Sequence, residues 1–451
     1  MQDVKTNDRH PASSANTRTN RDPPSAPRLP HRSPRTVSFR SLLSLSLLAL
    51  AFALLLVRPW ASQISAHSRT LLSRLPSTFR PFTAPSTTMA SAAYAKELQV
   101  AQLAVQRAAI LTKKVFHEKA KGTVSKDDKS PVTIGDFGAQ ALIISALRHS
   151  FPTDEIVAEE EADQLRADSG LRDTIWGFVK DTKLDDASAE TALGGSIPTV
   201  DAMLDLLDQG KSTGGRSGRI WTIDPIDGTK GFLRGGQYAV CVGLIVDGDV
   251  QVGVLGCPNL PTDDATKLTV DVGANQTDEG SSTGVLFSAV KGEGAYSRPL
   301  TTGAVQPAHR ISMNTALTDG KDLSAASFCE SVEAGHSNQS ESAQIAQILG
   351  ITKPSVRMDS QAKYGSIARG AGDIYLRLPV SATYQEKIWD HAAGDLIVRE
   401  AGGRVTDTLG RPLDFGHGRT LAENKGVVAA PAAIHATVLS AVQTVLRISS
   451  L

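Results

Sequence analysis

RIWTIDPIDGTKGF, residues 219–232, is the stretch from which the rest of the chain can be read. Ile220 to Ile223 is a short run of β-branched and aromatic residues, the composition of a buried strand. Pro225 has no N–H to give to a ladder, so the strand is expected to stop there and the chain to turn. A turn at a strand end directs the carboxylates of Asp224 and Asp227, with the carbonyl of Ile226, toward one point. Hard oxygens of this kind suit Mg²⁺, which takes few protein carboxylates and keeps positions for water and phosphate oxygens. Gly228 lets a phosphate approach the backbone, and the N–H groups beyond it can open a helix whose positive end favours an anion. The Thr229 hydroxyl can both donate and accept, as holding an attacking water requires. The plain alternative is a surface turn, because Asp, Pro and Gly dominate ordinary turns.

Upstream, Val100, Leu103, Ala104, Ala108, Leu111 and Val115 recur at helical spacing and predict an amphipathic helix from Tyr94 to about Lys121. Residues 131–134 read as extended, and Gly135 or Asp136 as the cap of a helix running to about His149. Glu155 to Ala158 reads as a strand, and the acidic run after it is either a solvated face or the place where a carboxylate projects from a strand end. Residues 162–215 read as a surface excursion that is helical only over Asp201 to Leu207. Downstream, Tyr238 to Val246 and Val250 to Leu255 form two strands joined through Asp247, Gly248 and Asp249, followed by β segments at 285–290 and 294–296 and a loop over 259–283. The last third alternates strand-like and helical segments. Asp390 reads as the N-cap of a helix that Gly402 and Gly403 end, with Ala392 and Ala393 small enough for close packing. Strands at 405–406 and 426–429 and a helix over 434–448 close the chain.

The chain has 451 residues, 47 basic and 47 acidic, which argues against a nucleic-acid surface and for a small substrate. Cys241, Cys257 and Cys329 have no paired spacing, so neither a disulfide framework nor a zinc site is indicated and a reducing compartment fits. The division expected is a disordered leader over 1–90, an amino-terminal α+β half over 91–298 and a carboxy-terminal α/β half over 299–451. Within the leader, residues 42–57 form an apolar run of about 16, shorter than the roughly 20 that span a bilayer comfortably. It reads as a signal anchor or, with its Arg- and Ser-rich flank, as an organellar presequence; translation from Met89 would remove it and give a cytoplasmic protein, the reading preferred here.

The hexapeptide Asp224–Thr229 resembles the signature of the Mg²⁺-dependent, lithium-sensitive phosphatase superfamily that contains inositol monophosphatases. The longer reading, residues 221–248, looks most like its fungal bisphosphate nucleotidase branch, with the resemblance covering about residues 92–446. It implies the layered αβαβα sugar-phosphatase fold, of mixed α/β class. It implies Glu159, Asp224 and the Ile226 carbonyl around a first Mg²⁺, and Asp224, Asp227 and Asp390 around a second, Asp390 through the similarity of WDHAAG to the second signature. Glu160 is then a supporting or third-metal carboxylate, and Asp136 with Thr229 orients and deprotonates the water. GHS, SQAKY and YLRLP resemble nucleotide-binding segments, pointing to His336, Ser360, Lys363 and Arg377 beside Asp227, Gly228, Thr229 and Asp390. The implied reaction is removal of the 3'-phosphate from 3'-phosphoadenosine 5'-phosphate by a monomer, in the service of sulfate assimilation and salt tolerance. An inositol phosphatase would keep the metals without needing that basic and polar set. A non-catalytic phosphate sensor tethered by the leader is the third alternative.

Overall fold

The computed structural model describes residues 93–120, 131–263, 282–318, 320, 322–332, 339–379, 381 and 383–448. The leader with its apolar run and Met89 lies outside the described residues. Among those described, no helix is long and apolar enough to cross a membrane.

Helices α1 (Ala95–Ala120) and α2 (Pro131–Ser150) pack on each other and on one face of a seven-stranded sheet. Its strands follow chain order: β1 (Glu155–Ala158), β2 (Arg219–Asp227), β3 (Ala239–Val246), β4 (Asp249–Pro261), β5 (Thr283–Val290), β6 (Gly294–Pro299) and β7 (His309–Ile311). Only β1 and β2 run parallel; the other neighbours are antiparallel. The β3–β4 turn has positive φ at both Asp247 (50°) and Gly248 (83°), the primed geometry whose twist matches that of a hairpin. A second sheet has the order β11-β12-β10-β8-β9, from β8 (Phe328–Glu330), β9 (Val356–Arg357), β10 (Ile374–Arg377), β11 (Gly403–Thr406) and β12 (Val427–Pro431).

The strands are apolar on both faces, and each face has a helical cover. Val240, Val242 and Leu244 of β3 meet Val100, Ala104 and Val105 of α1, whereas Cys241 and Ile245 turn to the opposite side. There they join Tyr364 and Ile367 of α9 (Ala362–Ala368) and Ala392, Ala393 and Leu396 of α10 (Ala392–Glu400) in a cluster that also takes in Tyr375, Val427 and Ala429 of the second sheet. Val428 and Ala430 point the other way, against Ile345 of α8 (Gln339–Leu349) and Val438 and Val442 of α11 (His435–Leu446). The resulting sequence of layers is helix, sheet, helix, sheet, helix. Full burial contributes about 1.5–3 kcal/mol for each large aliphatic side chain, so these clusters carry most of the stability. The middle layer is tight: a Cβ on Gly253 of β4 would lie 2.7 Å from the Ala393 carbonyl oxygen.

Four local readings need correction. Helix α2 begins at Pro131, not at Gly135 or Asp136, because proline's fixed φ and missing N–H suit a first helical turn. Asp136 is therefore a buried residue inside the helix rather than its cap. Strand β2 does not stop at Pro225 but runs to Asp227, and the ladder absorbs the proline by a bulge: Asp224 faces Cys241 and Asp227 faces Ala239, one residue more on β2 than on β3. The 162–215 segment is no loose excursion. It forms α3 (Asp163–Ala167), α4 (Ser169–Asp181), α5 (Ala187–Ala192) and α6 (Val200–Asp208), and it buries Leu165, Leu171, Ile175, Met203 and Leu207 against Leu111, Phe137 and Phe232. Strand β4 continues to Pro261, and most of the loop expected after it, 264–281, lies outside the described residues.

Candidate active site

The β2 bulge opens onto a cavity of about 310 Å³ whose walls include Glu159, Asp224, Asp227, Thr229, Lys363, Arg377 and Asp390. Ile226, Gly228 and Ser360 line it as well. Of the residues singled out in the sequence, Asp136 and Glu160 stand behind this lining, and His336 lies outside the described residues.

Each acid of the cavity reaches it from the end of an element. Glu159 follows β1 and Asp224 and Asp227 flank the bulge at the carboxy-terminal end of β2, while Asp390 ends a short 3-10 turn (Ile388–Asp390). Asp390 does not cap α10, contrary to expectation; His391 holds that position, which leaves the Asp390 carboxylate to the cavity. Burial raises the Asp224 carboxyl well above its ordinary range, and the charges of Glu159, Asp227, Asp390 and Asp136 raise it further. Asp390 is raised well above its range by burial and Asp227, with Arg377 pulling back. Glu159 has an open outer side but protein around the rest, and desolvation with Glu160 and Asp227 pushes it up to about 7. Behind it, Asp136 is raised well above its range by burial and by Glu159 and Glu160.

Two buried oxygens of this cluster, Asp224 Oδ1 and Asp136 Oδ1, have no hydrogen-bond partner. Buried acids packed together with unsatisfied oxygens are costly as the protein chain leaves them. A hard divalent cation would supply both the missing charge and the missing partners, so the donor set fits Mg²⁺. A different trio, Glu386, Asp390 and His391, brings ligand atoms within 4.8 Å of one another. That trio is already answered by protein: Arg377 Nε donates to Glu386 Oε1 at 2.8 Å, and His391 Nε2 lies 3.3 Å from Glu386 Oε2. Against the burial that would raise it, Glu386 is held down to about 2 by His391 and Arg377.

Segment 359–363 closes the cavity from the second sheet's side. The Gln361 N–H donates to Asp227 Oδ2 at 2.6 Å, and its side-chain amide donates to the Trp389 carbonyl at 2.7 Å, so one residue holds two acid-bearing turns. Ser360 has a φ of 69°, unusual for a residue with a side chain, and its hydroxyl accepts from Ala362 N at 3.1 Å. Gly228, at φ 89°, begins α7 (Thr229–Arg234), and a Cβ there would come within 2.8 Å of Ser360 Cβ. The room Gly228 leaves is thus filled by the seam with Ser360, a demand for glycine beyond any phosphate approach. Lys363 is buried within α9, its charge beside Asp227 and Asp359, and burial lowers its pKa. Arg377 Nη2 stands 4.0 Å from Asp390 Oδ2.

Gln361, Asp359, Tyr364, Tyr375, Tyr384, Glu386 and His391 belong to the site or its support and were not singled out in the sequence. They sit inside the quoted SQAKY, YLRLP and WDHAAG stretches or next to them, which was the available signal.

The model of the inositol monophosphatase family matches residues 93–447. The chain is 66% identical over 355 residues to the 3'(2'),5'-bisphosphate nucleotidase of Emericella nidulans, covering 79% of this chain and 99% of that protein. To the 3'(2'),5'-bisphosphate nucleotidase of Schizosaccharomyces pombe it is 48% identical over 354 residues, covering 77% and 95%. To 3'(2'),5'-bisphosphate nucleotidase 1 of Candida albicans it is 43% identical over 366 residues, covering 79% and 97%. With the layered fold and the acid cavity at the end of β2, these likenesses have one reading: the chain belongs to the inositol monophosphatase family.

Proposed function

We propose that the chain is a Mg²⁺-dependent phosphatase that converts 3'-phosphoadenosine 5'-phosphate to AMP and inorganic phosphate. The observation that carries this reading is one cavity lined by Glu159, Asp224, Asp227 and Asp390, with a buried Asp224 oxygen left without a partner, and by Lys363 and Arg377. Acids alone would serve any phosphate monoester; cations lining the same cavity suit a substrate with a second anionic group. The names of the fungal relatives support the same substrate class. The 5'-phosphosulfate analogue carries the same 3'-phosphate and is proposed as a second substrate, which would connect the enzyme with sulfate assimilation and salt tolerance. We assign it to the cytoplasm as a monomer translated from Met89.

Glu159, Asp224, the Ile226 carbonyl, Asp227 and Asp390 would hold the ions. Mg²⁺, when bound, supplies Lewis-acid charge that activates water and offsets the charge on the departing oxygen. Thr229 accepts and donates to orient the water, and Asp136, raised above the ordinary carboxyl range by burial and by Glu159 and Glu160 and so a stronger base than a free carboxylate, takes its proton. The water oxygen forms a bond to phosphorus as the bond to the 3'-oxygen breaks, and that oxygen takes a proton from solvent water to leave as the free hydroxyl. Lys363, Arg377, Ser360 and His336 hold the nucleotide away from the reacting centre. Lithium, a small hard cation for the same oxygens, is expected to inhibit where KCl does not.

The test is phosphate release from a panel of 3'-phosphonucleotides, 2'-phosphonucleotides and inositol phosphates, with Mg²⁺ and with EDTA. Preference for the bisphosphate nucleotide, lost in EDTA, is expected. Preference for an inositol phosphate would overturn the substrate, and undiminished turnover in EDTA would overturn the metal.

A further inference from the structure

We infer that Arg419 is a positioning residue for the metal site, tying the Glu159 end of the cavity to the Asp390 end. The inference rests on the proposed metal-holding role of those acids and adds a residue that touches neither. Arg419 Nη2 donates to the carbonyl of Ala158, the residue just before Glu159, at 2.7 Å. Its Nη1 donates to Ser212 O at 3.1 Å and Gly210 O at 3.3 Å, in the segment that pairs with β1. The guanidinium carbon lies 4.9 Å from the ring centre of Trp389, the residue just before Asp390.

The backbone of the same residue completes the link. Arg419 O accepts from Ile388 N at 3.2 Å, and Leu421 N donates to Glu386 O at 2.8 Å, which locks 419–421 onto 386–388. The turn carrying Asp390 therefore cannot shift without moving the guanidinium that grips the carbonyl before Glu159. Two like-charged carboxylates in one cavity repel, and loops that carry them drift apart unless something fixed spans both. Arg419 spans them with a planar fork that donates to three carbonyls and lies over an indole. A lysine, as a point charge, cannot do both. Loss of an outer partner of a metal site typically costs about 10–100-fold in metal affinity.

The test is direct Mn²⁺ binding to the purified full chain, followed by electron paramagnetic resonance, beside the melting temperature in EDTA. Arg419→Ala is expected to raise the Mn²⁺ dissociation constant by about 10–100-fold, with the KM for nucleotide at saturating metal within about 2-fold of wild type. Arg419→Lys, the milder change should the alanine variant not fold, is expected to remain several-fold weaker for Mn²⁺ at an unchanged melting temperature. Arg216→Ala removes an exposed arginine paired with Asp414 in the neighbouring loop and is expected to bind Mn²⁺ as wild type does. Wild-type Mn²⁺ affinity in Arg419→Ala, or in Arg419→Lys where the alanine variant does not fold, overturns the inference. Asp224→Asn tests the underlying reading separately: if it keeps full Mn²⁺ affinity, the metal assignment is wrong, whatever Arg419 does.

Discussion

The two walls of the cavity are built on opposite terms. On the acidic wall, Asp224 keeps a buried oxygen with no partner and its pKa is driven up by burial and by its neighbours. On the basic wall, Arg377 is already matched by Glu386, and Lys363 stands beside Asp227 and Asp359. The protein answers Arg377 with Glu386 and leaves an oxygen of Asp224 to be answered from outside. The difference teaches which substitutions should destroy the chemistry and which should only change what binds. On the proposed reading it also explains why so many like charges can be gathered here: a cation that the chain does not itself supply would offset them.

The comparison breaks most visibly at the acidic wall. Asp224→Asn and Asp390→Asn preserve shape and remove one charge each, and turnover is expected to fall on the order of 10³-fold, as when a preorganised group is lost from a centre of developing charge. Phosphate release at saturating Mg²⁺ measures this. Near-normal rates in either folded variant would show that the acids have another purpose.

The basic wall should answer differently. Arg377→Ala and Lys363→Ala remove charge-assisted hydrogen bonds worth about 1.5–3 kcal/mol each, so KM for the bisphosphate nucleotide should rise about 10–100-fold. The KM for a simple phosphate monoester should hardly move. Equal losses on both substrates would put these cations in the chemistry or in folding, and the contrast between the walls would disappear.

The same contrast governs what could be read from the sequence. The acids of β2 are contiguous at the end of an apolar run, so the chain itself announced them. The layered fold was legible through the family resemblance, and the alternation on β3 and β12 bears it out in the packing. The basic wall depends on which face of α9 and β10 meets the first sheet, and no local pattern states that; Gln361 and Glu386 acquire their roles only in contact. Of the four helices of 162–215, Val200–Asp208 was legible as Asp201 to Leu207, and the other three were missed because they have only 5 to 13 residues each, too short for periodicity to speak. Their caps were there to be read: Asp168, Asp186 and Thr199 each accept a backbone N–H three residues on. Asp136 was misplaced for the opposite reason, since Pro131 and the β-branched residues after it suggested an extended segment where a helix had already begun.

The smallest effect expected is the one that sharpens the comparison furthest, because it reverses sign. In the metal-free protein the acidic wall is a liability, and Asp224→Asn, the variant expected to lose turnover on the order of 10³-fold, should stabilise the fold. The carboxyls of Asp136, Asp224 and Asp390 have folded pKa values above their unfolded ones, and Glu159 stands at about 7 against an ordinary 4.5. The folded state then binds more protons than the unfolded state, so stability falls as pH rises. The contribution is fully present below about pH 4, where both states are protonated, and is lost as pH rises from there, for Glu159 through its value of about 7. Asparagine at 224 has no charge to develop, so its advantage over wild type in EDTA should be smaller at pH 5 than at pH 8 and vanish only below about pH 4. An advantage of about 1 kcal/mol would raise the melting temperature by about 2–4 °C for a domain of 150–250 residues, and somewhat less here. Saturating Mg²⁺ should erase or invert it, because the cation stabilises the intact cluster by mass action. Thermal melts of both proteins at pH 5, 6, 7 and 8, with EDTA and with Mg²⁺, give the curve. A variant less stable than wild type in EDTA at pH 8 would mean that Asp224 is answered by the protein after all, and that the two walls are built alike.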